Sequence, residues 1–225
     1  MTFHVEPTPE LPDWLTPQAV TLRVYAQSLA STGVELGLLG PREVDRIWTR
    51  HILNCAVVAA PAVDLVRTGD QVADVGSGAG LPGLVWAIAR PDIEVTLIEP
   101  LLRRADYLAS VVALLCQADS SIGDRVRVLR TRAEDLVRDT QWQGVDVVTA
   151  RAVAPMDRLL GWTTPLLRPG GRLVALKGQS AAAEVGQSRD LAKRLGMDEL
   201  SVLSVGRGVV DPPTTVIQGV RINHA

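Results

Sequence analysis

The sequence predicts an α/β fold: a mixed seven-stranded sheet with helices on both faces, preceded by an N-terminal helical extension. Three observations predict it. From Asp70 onward, short apolar runs alternate with helical periodicities, the pattern of a largely parallel sheet covered by helices. The first run enters a glycine-dense loop, Val72-Ala73-Asp74-Val75-Gly76-Ser77-Gly78-Ala79-Gly80-Leu81-Pro82-Gly83. The last two runs are joined through Gly206, Gly208 and Pro212-Pro213, which reads as a closing hairpin and makes the sheet mixed.

Taken in order, residues 1–12 carry Pro7, Pro9 and Pro12 and read as a loose lead-in. Leu15, Ala19, Leu22, Tyr25, Ala26 and Leu29 recur at helical spacing over 15–31, with Gly33 as the expected stop. Pro41 opens a second helix reaching about residue 60, because proline is favoured in a first turn. Val44, Ile47, Trp48, Ile52 and Val58 form its apolar stripe. Arg46, Arg50 and Asn54 step by four and share another face, solvated on the plainest reading. These helices form an extension over 1–66, ahead of the sheet unit over 67–225. The loop strand then leads to a helix at 82–89, a strand at 94–99 and a helix at 101–117. A strand at 126–129, a short helix at 132–136, a strand at 145–150 and a helix at 155–167 follow. Pro169-Gly170-Gly171 reads as a turn before a strand at 172–176. A helix at 181–195 and strands at 200–205 and 214–220 complete the chain.

With 225 residues, 47% of them hydrophobic, the chain can build a full core without staples. Its two cysteines, Cys55 and Cys116, form no C-x-x-C pair, so neither a metal site nor a disulfide framework is expected. The start lacks a basic segment followed by an apolar one, and no apolar run reaches membrane-spanning length. A soluble cytoplasmic protein is the expectation. The net charge of −2 confines any nucleic-acid contact to a local basic patch. Aromatic residues make up 4%, with Phe3 the single phenylalanine, so base stacking on several rings is not expected.

Two readings compete for the glycine loop. Gly78-Ala79-Gly80-Leu81-Pro82-Gly83 fits the spacing of the dinucleotide fingerprint, but out of phase with the strand. The alternative is D-x-G-x-G-x-G with Asp74 at the strand end, which resembles the first motif of class I S-adenosylmethionine-dependent methyltransferases, a Rossmann-like fold. In such sheets ligands bind beyond the carboxyl ends of the strands. Glu99 follows the second strand, where an acid takes ribose hydroxyls. Arg132-Ala133-Glu134 follows the third, Arg151 the fourth and Lys177 the fifth. A cation ending a buried strand is costly unless something anionic faces it, whether an acid of the protein or a ligand.

Arg50-His51-Ile52-Leu53-Asn54, the Asp74–Gly83 loop, Ala150-Arg151-Ala152 and Ala175-Leu176-Lys177-Gly178-Gln179 together resemble the RsmG (GidB) family. That family methylates the N7 of a guanine in the decoding-region loop of 16S ribosomal RNA. The resemblance implies S-adenosyl-L-methionine as cofactor, held at Gly76 and Leu81, at the Ala133-Glu134 backbone and by Arg151, with Glu99 on the ribose. Asp74, Ser77, Gly78 and Gly80 complete that loop. It also implies 16S ribosomal RNA in the small subunit as partner, no membrane, and a monomer by default. Two places depart from the family pattern: Leu38-Leu39-Gly40 stands where members usually carry Asn-Leu-Thr, and Asn54 where an acid is common. Guanine N7 is a lone-pair nucleophile, so no catalytic base is required. Arg50, His51, Arg151 and Lys177 are the candidates for the RNA side. The rival readings are a methyltransferase acting on a small molecule, a nicotinamide-dependent dehydrogenase, and a non-enzymatic RNA-binding factor on the same fold.

Overall fold

A computed structural model of the chain describes residues 6–222, so the first five residues of the expected lead-in lie outside the described part. The strands are β1 (Gln71–Val75), β2 (Glu94–Ile98), β3 (Val126–Leu129), β4 (Val145–Arg151), β5 (Leu167–Lys177), β6 (Met197–Val205) and β7 (Thr214–Arg221). They form one seven-stranded sheet in the order β3-β2-β1-β4-β5-β7-β6. The first five are parallel, and β7 inserts antiparallel between β5 and β6. The mixed sheet follows the expectation. The strand order reverses at β1, whose neighbours are β2 and β4, and this opens a crevice at its carboxyl end.

The helices are α1 (Ala19–Ser28), α2 (Asn54–Ala56), α3 (Gly83–Ala89), α4 (Leu102–Leu115), α5 (Ile122–Arg125), α6 (Ala133–Leu136), α7 (Met156–Thr163) and α8 (Ala181–Arg194). The N-terminal helices share one apolar cluster with α3 and α4, in which Tyr25, Trp48 and Ile52 meet Trp86, Leu97 and Val174. The opposite face of the sheet packs under α6, α7 and α8 through Ala73, Val148, Leu160 and Val185. Among the described residues no helix is long and apolar enough to cross a membrane.

Four elements differ from expectation. The stretch from Pro41 to about residue 60 is not one helix but a 3₁₀ segment, Pro41–Arg46, a π segment, Ile47–Leu53, and the short pieces Asn54–Ala56 and Val57–Ala59. The first helix does not stop at Gly33 but continues through a π turn, Leu29–Gly33. It ends at Gly37 (φ +70°), whose N–H donates to the Val34 carbonyl at 2.9 Å. Pro169-Gly170-Gly171 is not a turn between elements: β5 runs through it, and its pairing with β4 shifts register between Val145 and Val147. Such a bulge lets proline and glycine sit inside a strand. The short helix α5 carried no sequence signal.

The joint between β1 and α3 is closely packed. Asp74 is fully buried, and its Oδ2 accepts the Gly83 N–H at 3.1 Å, capping α3. Oδ1 has no partner among the described residues. A Cβ on Gly83 would lie 2.7 Å from Asp74 Oδ2 and 2.6 Å from a Leu97 methyl, so only glycine fits there. Burial pushes the Asp74 pKa up to about 7, against the opposing pull of the Gly83 hydrogen bond. The folded protein therefore holds a proton that the unfolded chain releases near pH 4, and Asp74 costs stability as pH rises through that window. Asp74→Asn removes this dependence. Its unfolding free energy relative to wild type, measured by urea titration, should rise by roughly 2–3 kcal/mol between about pH 5 and pH 7.5. A difference that stays constant with pH would overturn this account of Asp74.

Candidate functional site

Two cavities open at the carboxyl edge of the sheet. The smaller, about 540 Å³, is lined by Gly76, Ser77, Gly78 and Leu81 of the glycine loop, and by Glu99 and Leu101 after β2. The loop is folded back onto β2, because the Gly76 and Ser77 N–H groups both donate to the Ile98 carbonyl, at 2.9 and 3.1 Å. Gly78 takes φ +57°, and a Cβ there would meet nothing nearer than the Gly76 carbonyl at 3.7 Å. The backbone is thus bare where it borders the cavity.

Glu99 is almost wholly buried, although it is an acid in a loop. Its Oε2 accepts the Gly78 N–H and its Oε1 the Leu101 N–H, both at 3.0 Å. The carboxylate therefore fixes the glycine loop and the start of the following segment together. Arg104 is its ion-pair partner, at 4.0 Å and half exposed.

The larger cavity, about 990 Å³, is bordered by Arg46, Arg50, Asn54, Lys177, Asp211 and Thr214. Arg151, Ala152 and Val153 line both cavities and form the wall between them. Ala152 has φ +55°, a strained conformation for a residue with a Cβ. Arg151 forms no ion pair among the described residues. Its guanidinium donates instead to the His51 Nδ1 at 2.9 Å, the Cys55 Sγ at 3.1 Å and the Arg50 carbonyl at 3.3 Å. The reading that an acid neutralises this cation does not hold here. It does hold for Lys177, whose Nζ sits 2.7 Å from Glu184 Oε2 and donates to the Ala154 carbonyl.

His51 is buried between Glu43 and Arg151, and it borders the smaller cavity rather than the larger one. Burial, and then the neighbouring Arg151 charge, lower its pKa to about 4 despite Glu43. It is neutral at physiological pH. Of the four RNA-side candidates, Arg50 and Lys177 border only the larger cavity, Arg151 borders both, and Arg50 is the one more than half exposed. Among the cofactor candidates, Gly76, Ser77, Gly78, Leu81, Glu99 and Arg151 meet at the smaller cavity. Asp74, buried at the end of β1, and Gly80, within the loop, are off the lining, as are Ala133 and Glu134 at the start of α6. Sequence reasoning missed Tyr25, whose hydroxyl donates to the Ala79 carbonyl at 2.8 Å, and also Glu43 and Cys55. Tyr25 carries only the signal of a helix stripe, and no local pattern links Glu43 or Cys55 to Arg151.

The architecture matches solved methyltransferase structures. These include the apo form of the S-adenosylmethionine-dependent methyltransferase SibL (TM-score 0.60, 18% identity, 94% of this chain and 70% of that one). Another is the fibrillarin of Aeropyrum pernix, solved with natively bound S-adenosyl-L-methionine (TM-score 0.54, 18% identity, 76% of this chain and 75% of that one). At sequence level the chain is 53% identical to ribosomal RNA small subunit methyltransferase G of Mycolicibacterium gilvum, over 88% of this chain and 82% of that protein. The protein of the same name from Rhodococcus jostii is 47% identical, over 98% of this chain and 96% of its own. The GidB family model, described as rRNA small subunit methyltransferase G, matches residues 18–211, and the chain belongs to that family.

Proposed function

We propose that this protein transfers a methyl group from S-adenosylmethionine to the N7 of a guanine in the decoding-region loop of 16S ribosomal RNA. The observation that carries the reading is the pair of cavities meeting at Arg151, one built on a glycine loop and a buried carboxylate, the other larger and bordered by cations. The names of the relatives supply the substrate class, and the family resemblance supplies the guanine N7. On this reading the protein acts as a monomer, in the cytoplasm, on the small ribosomal subunit.

The residues of the smaller cavity fit the cofactor. Glu99 holds one N–H on each oxygen and keeps lone pairs for ribose hydroxyls. A pyrophosphate would be repelled by that buried carboxylate, and S-adenosylmethionine has none. The bare backbone at Gly78 leaves room for close approach. Arg151, with no acid partner among the described residues, suits the carboxylate of the methionine part. Leu81, with Gly76 and Ser77, would line the same part, Asp74 would support the loop from below, Gly80 would let the loop turn toward α3, and Ala133 and Glu134 would flank the adenine.

Bound S-adenosylmethionine supplies a methyl group on a sulfonium, which is already electrophilic. Guanine N7 attacks with its own lone pair and loses no proton, so the chain's residues orient rather than exchange protons. His51 agrees with this: it is neutral, and Arg151 occupies its acceptor nitrogen. Arg46 and Arg50, about half exposed, present charge to RNA phosphates. A bidentate arginine on O6 and N7 would block the reacting atom, so these cations hold phosphates or O6 alone. Lys177, committed to Glu184, supports the wall through the Ala154 carbonyl.

Incubation with methyl-labelled S-adenosylmethionine and small subunits lacking the modification should give one new borohydride–aniline cleavage, in the decoding-region loop. Cofactor binding without transfer to ribosomal RNA would move the acceptor to another molecule. Glu99→Gln should raise the cofactor Kd tenfold or more, about 1.4 kcal/mol, as charge-assisted hydrogen bonds are lost; an unchanged Kd in calorimetry would remove Glu99 from the site. Arg50→Ala should leave that Kd within about twofold while weakening RNA methylation and flattening its salt dependence. A salt dependence equal to wild type would take Arg50 off the RNA.

A further inference from the structure

Behind the wall between the cavities runs a chain of side chains that methyl transfer itself does not use. Glu43 Oε2 lies 3.0 Å from His51 Nε2, and His51 Nδ1 lies 2.9 Å from the Arg151 guanidinium. Chemistry fixes the direction of both bonds. A guanidinium only donates, so Nδ1 is the accepting atom and carries no hydrogen. The imidazole hydrogen then sits on Nε2 and donates to the Glu43 carboxylate. This arrangement needs a neutral ring. A second proton, on Nδ1, would remove the acceptor and set a cation against a cation.

The backbone departs from α-helical geometry where this contact forms. Eight residues along an α-helix span roughly 12 Å, which would part Glu43 from His51. Here Pro41–Arg46 is a 3₁₀ segment, Arg46 breaks the helix at φ −135°, ψ 23°, and Ile47–Leu53 continues as a wide π segment. Such π segments often occur at functional sites. The break lets Glu43 reach over His51 while also pairing with Arg50 at 3.1 Å and Arg46 at 3.5 Å. One carboxylate therefore joins the cation border of the larger cavity to the residue that holds Arg151.

We propose that Glu43 and His51 are positioning residues, which fix the guanidinium of Arg151 and through it the wall shared by cofactor and RNA. The proposal rests on the reading above, in which Arg151 faces both bound molecules. Without the imidazole, the Arg151 guanidinium would keep only the longer bond to the Arg50 carbonyl and a weak sulfur acceptor at Cys55. It would then swing toward whichever cavity holds the stronger anion. Held as it is, the guanidinium retains N–H donors beyond its three protein bonds, in a fixed plane.

The test compares Arg151→Ala, His51→Ala, His51→Asn, His51→Gln and the double variant His51→Ala/Arg151→Ala. Cofactor Kd is read by calorimetry, and kcat and KM on undermethylated small subunits. His51→Ala should raise the cofactor Kd about tenfold and lower kcat more than it raises KM. Asn should restore both to within about threefold, because its amide oxygen stands where Nδ1 stood. The double variant should be no worse than Arg151→Ala alone, since His51 acts only through Arg151. Losses that multiply in the double variant would assign His51 a separate structural role and overturn the proposal. So would a His51→Ala protein that matches wild type while Arg151→Ala is impaired. If Arg151→Ala itself binds cofactor and methylates normally, the reading of Arg151 falls instead. Should His51→Ala fail to fold, the amide pair decides: Asn near wild type and Gln impaired supports the relay, and equal values for the two overturn it.

Discussion

The arrangement of this molecule turns on a guanidinium at the end of a buried strand that meets no carboxylate among the described residues. An unpaired charge in such a place is costly, and the cost is reduced only as far as neutral acceptors allow. Arg151 receives an imidazole nitrogen, a carbonyl and a thiol sulfur. All three come from the helical stretch over 41–59 and none from the sheet that carries Arg151. The extension is thus more than a lid on an apolar face. Without it, the fourth strand would end in a charge with nothing to hold it.

The neighbouring strand end solves the opposite problem. Asp74 is a carboxylate with no cation beside it among the described residues, buried beneath the glycine loop. It is tolerated because the α3 amino end supplies a hydrogen bond and because its pKa rises to about 7. Placing Arg151 and Asp74 together would satisfy both. The fold keeps them apart, and leaves Arg151 facing both cavities while Asp74 lies closed beneath the loop. Buried against Asp74, the guanidinium would turn its donors away from the cavities and toward the strand.

Much of this was legible in the residues. The sheet and its helices followed from alternation of apolar runs, and the glycine loop from its density of glycines after Asp74. Glu99 stood out as the acid that follows the second strand. What stayed hidden depends on contacts between distant parts of the chain. Lys177 and Arg151 look alike in sequence, each a cation closing a strand, yet Glu184 on α8 neutralises one and no acid among the described residues reaches the other. The run through Pro169-Gly170-Gly171 read as a turn because those residues favour turns, and only the pairing with β4 holds it as a bulged strand. Glu43 lay outside any local pattern, since its contact with His51 depends on a break in helical geometry that propensities do not mark.

At the wall His51 is neutral and bonded at both nitrogens, which accords with the proposed chemistry. Attack by a lone pair on an electrophilic methyl group requires alignment of donor, carbon and acceptor, and small errors in orientation are penalised heavily. A site with that requirement gains from rigid partition more than from acid–base strength. The features around Arg151 all restrict motion: a strained Ala152, a valine from the wall packed over Gly76 so closely that a Cβ there would lie 2.9 Å away, and a neutral histidine bonded at both nitrogens. The strain at Ala152 persists because the bonds of Arg151 on one side and the Lys177–Ala154 hydrogen bond on the other hold the segment from both ends. Lys177 and His51, expected at the RNA, act on this view as the two anchors of the wall that RNA and cofactor share.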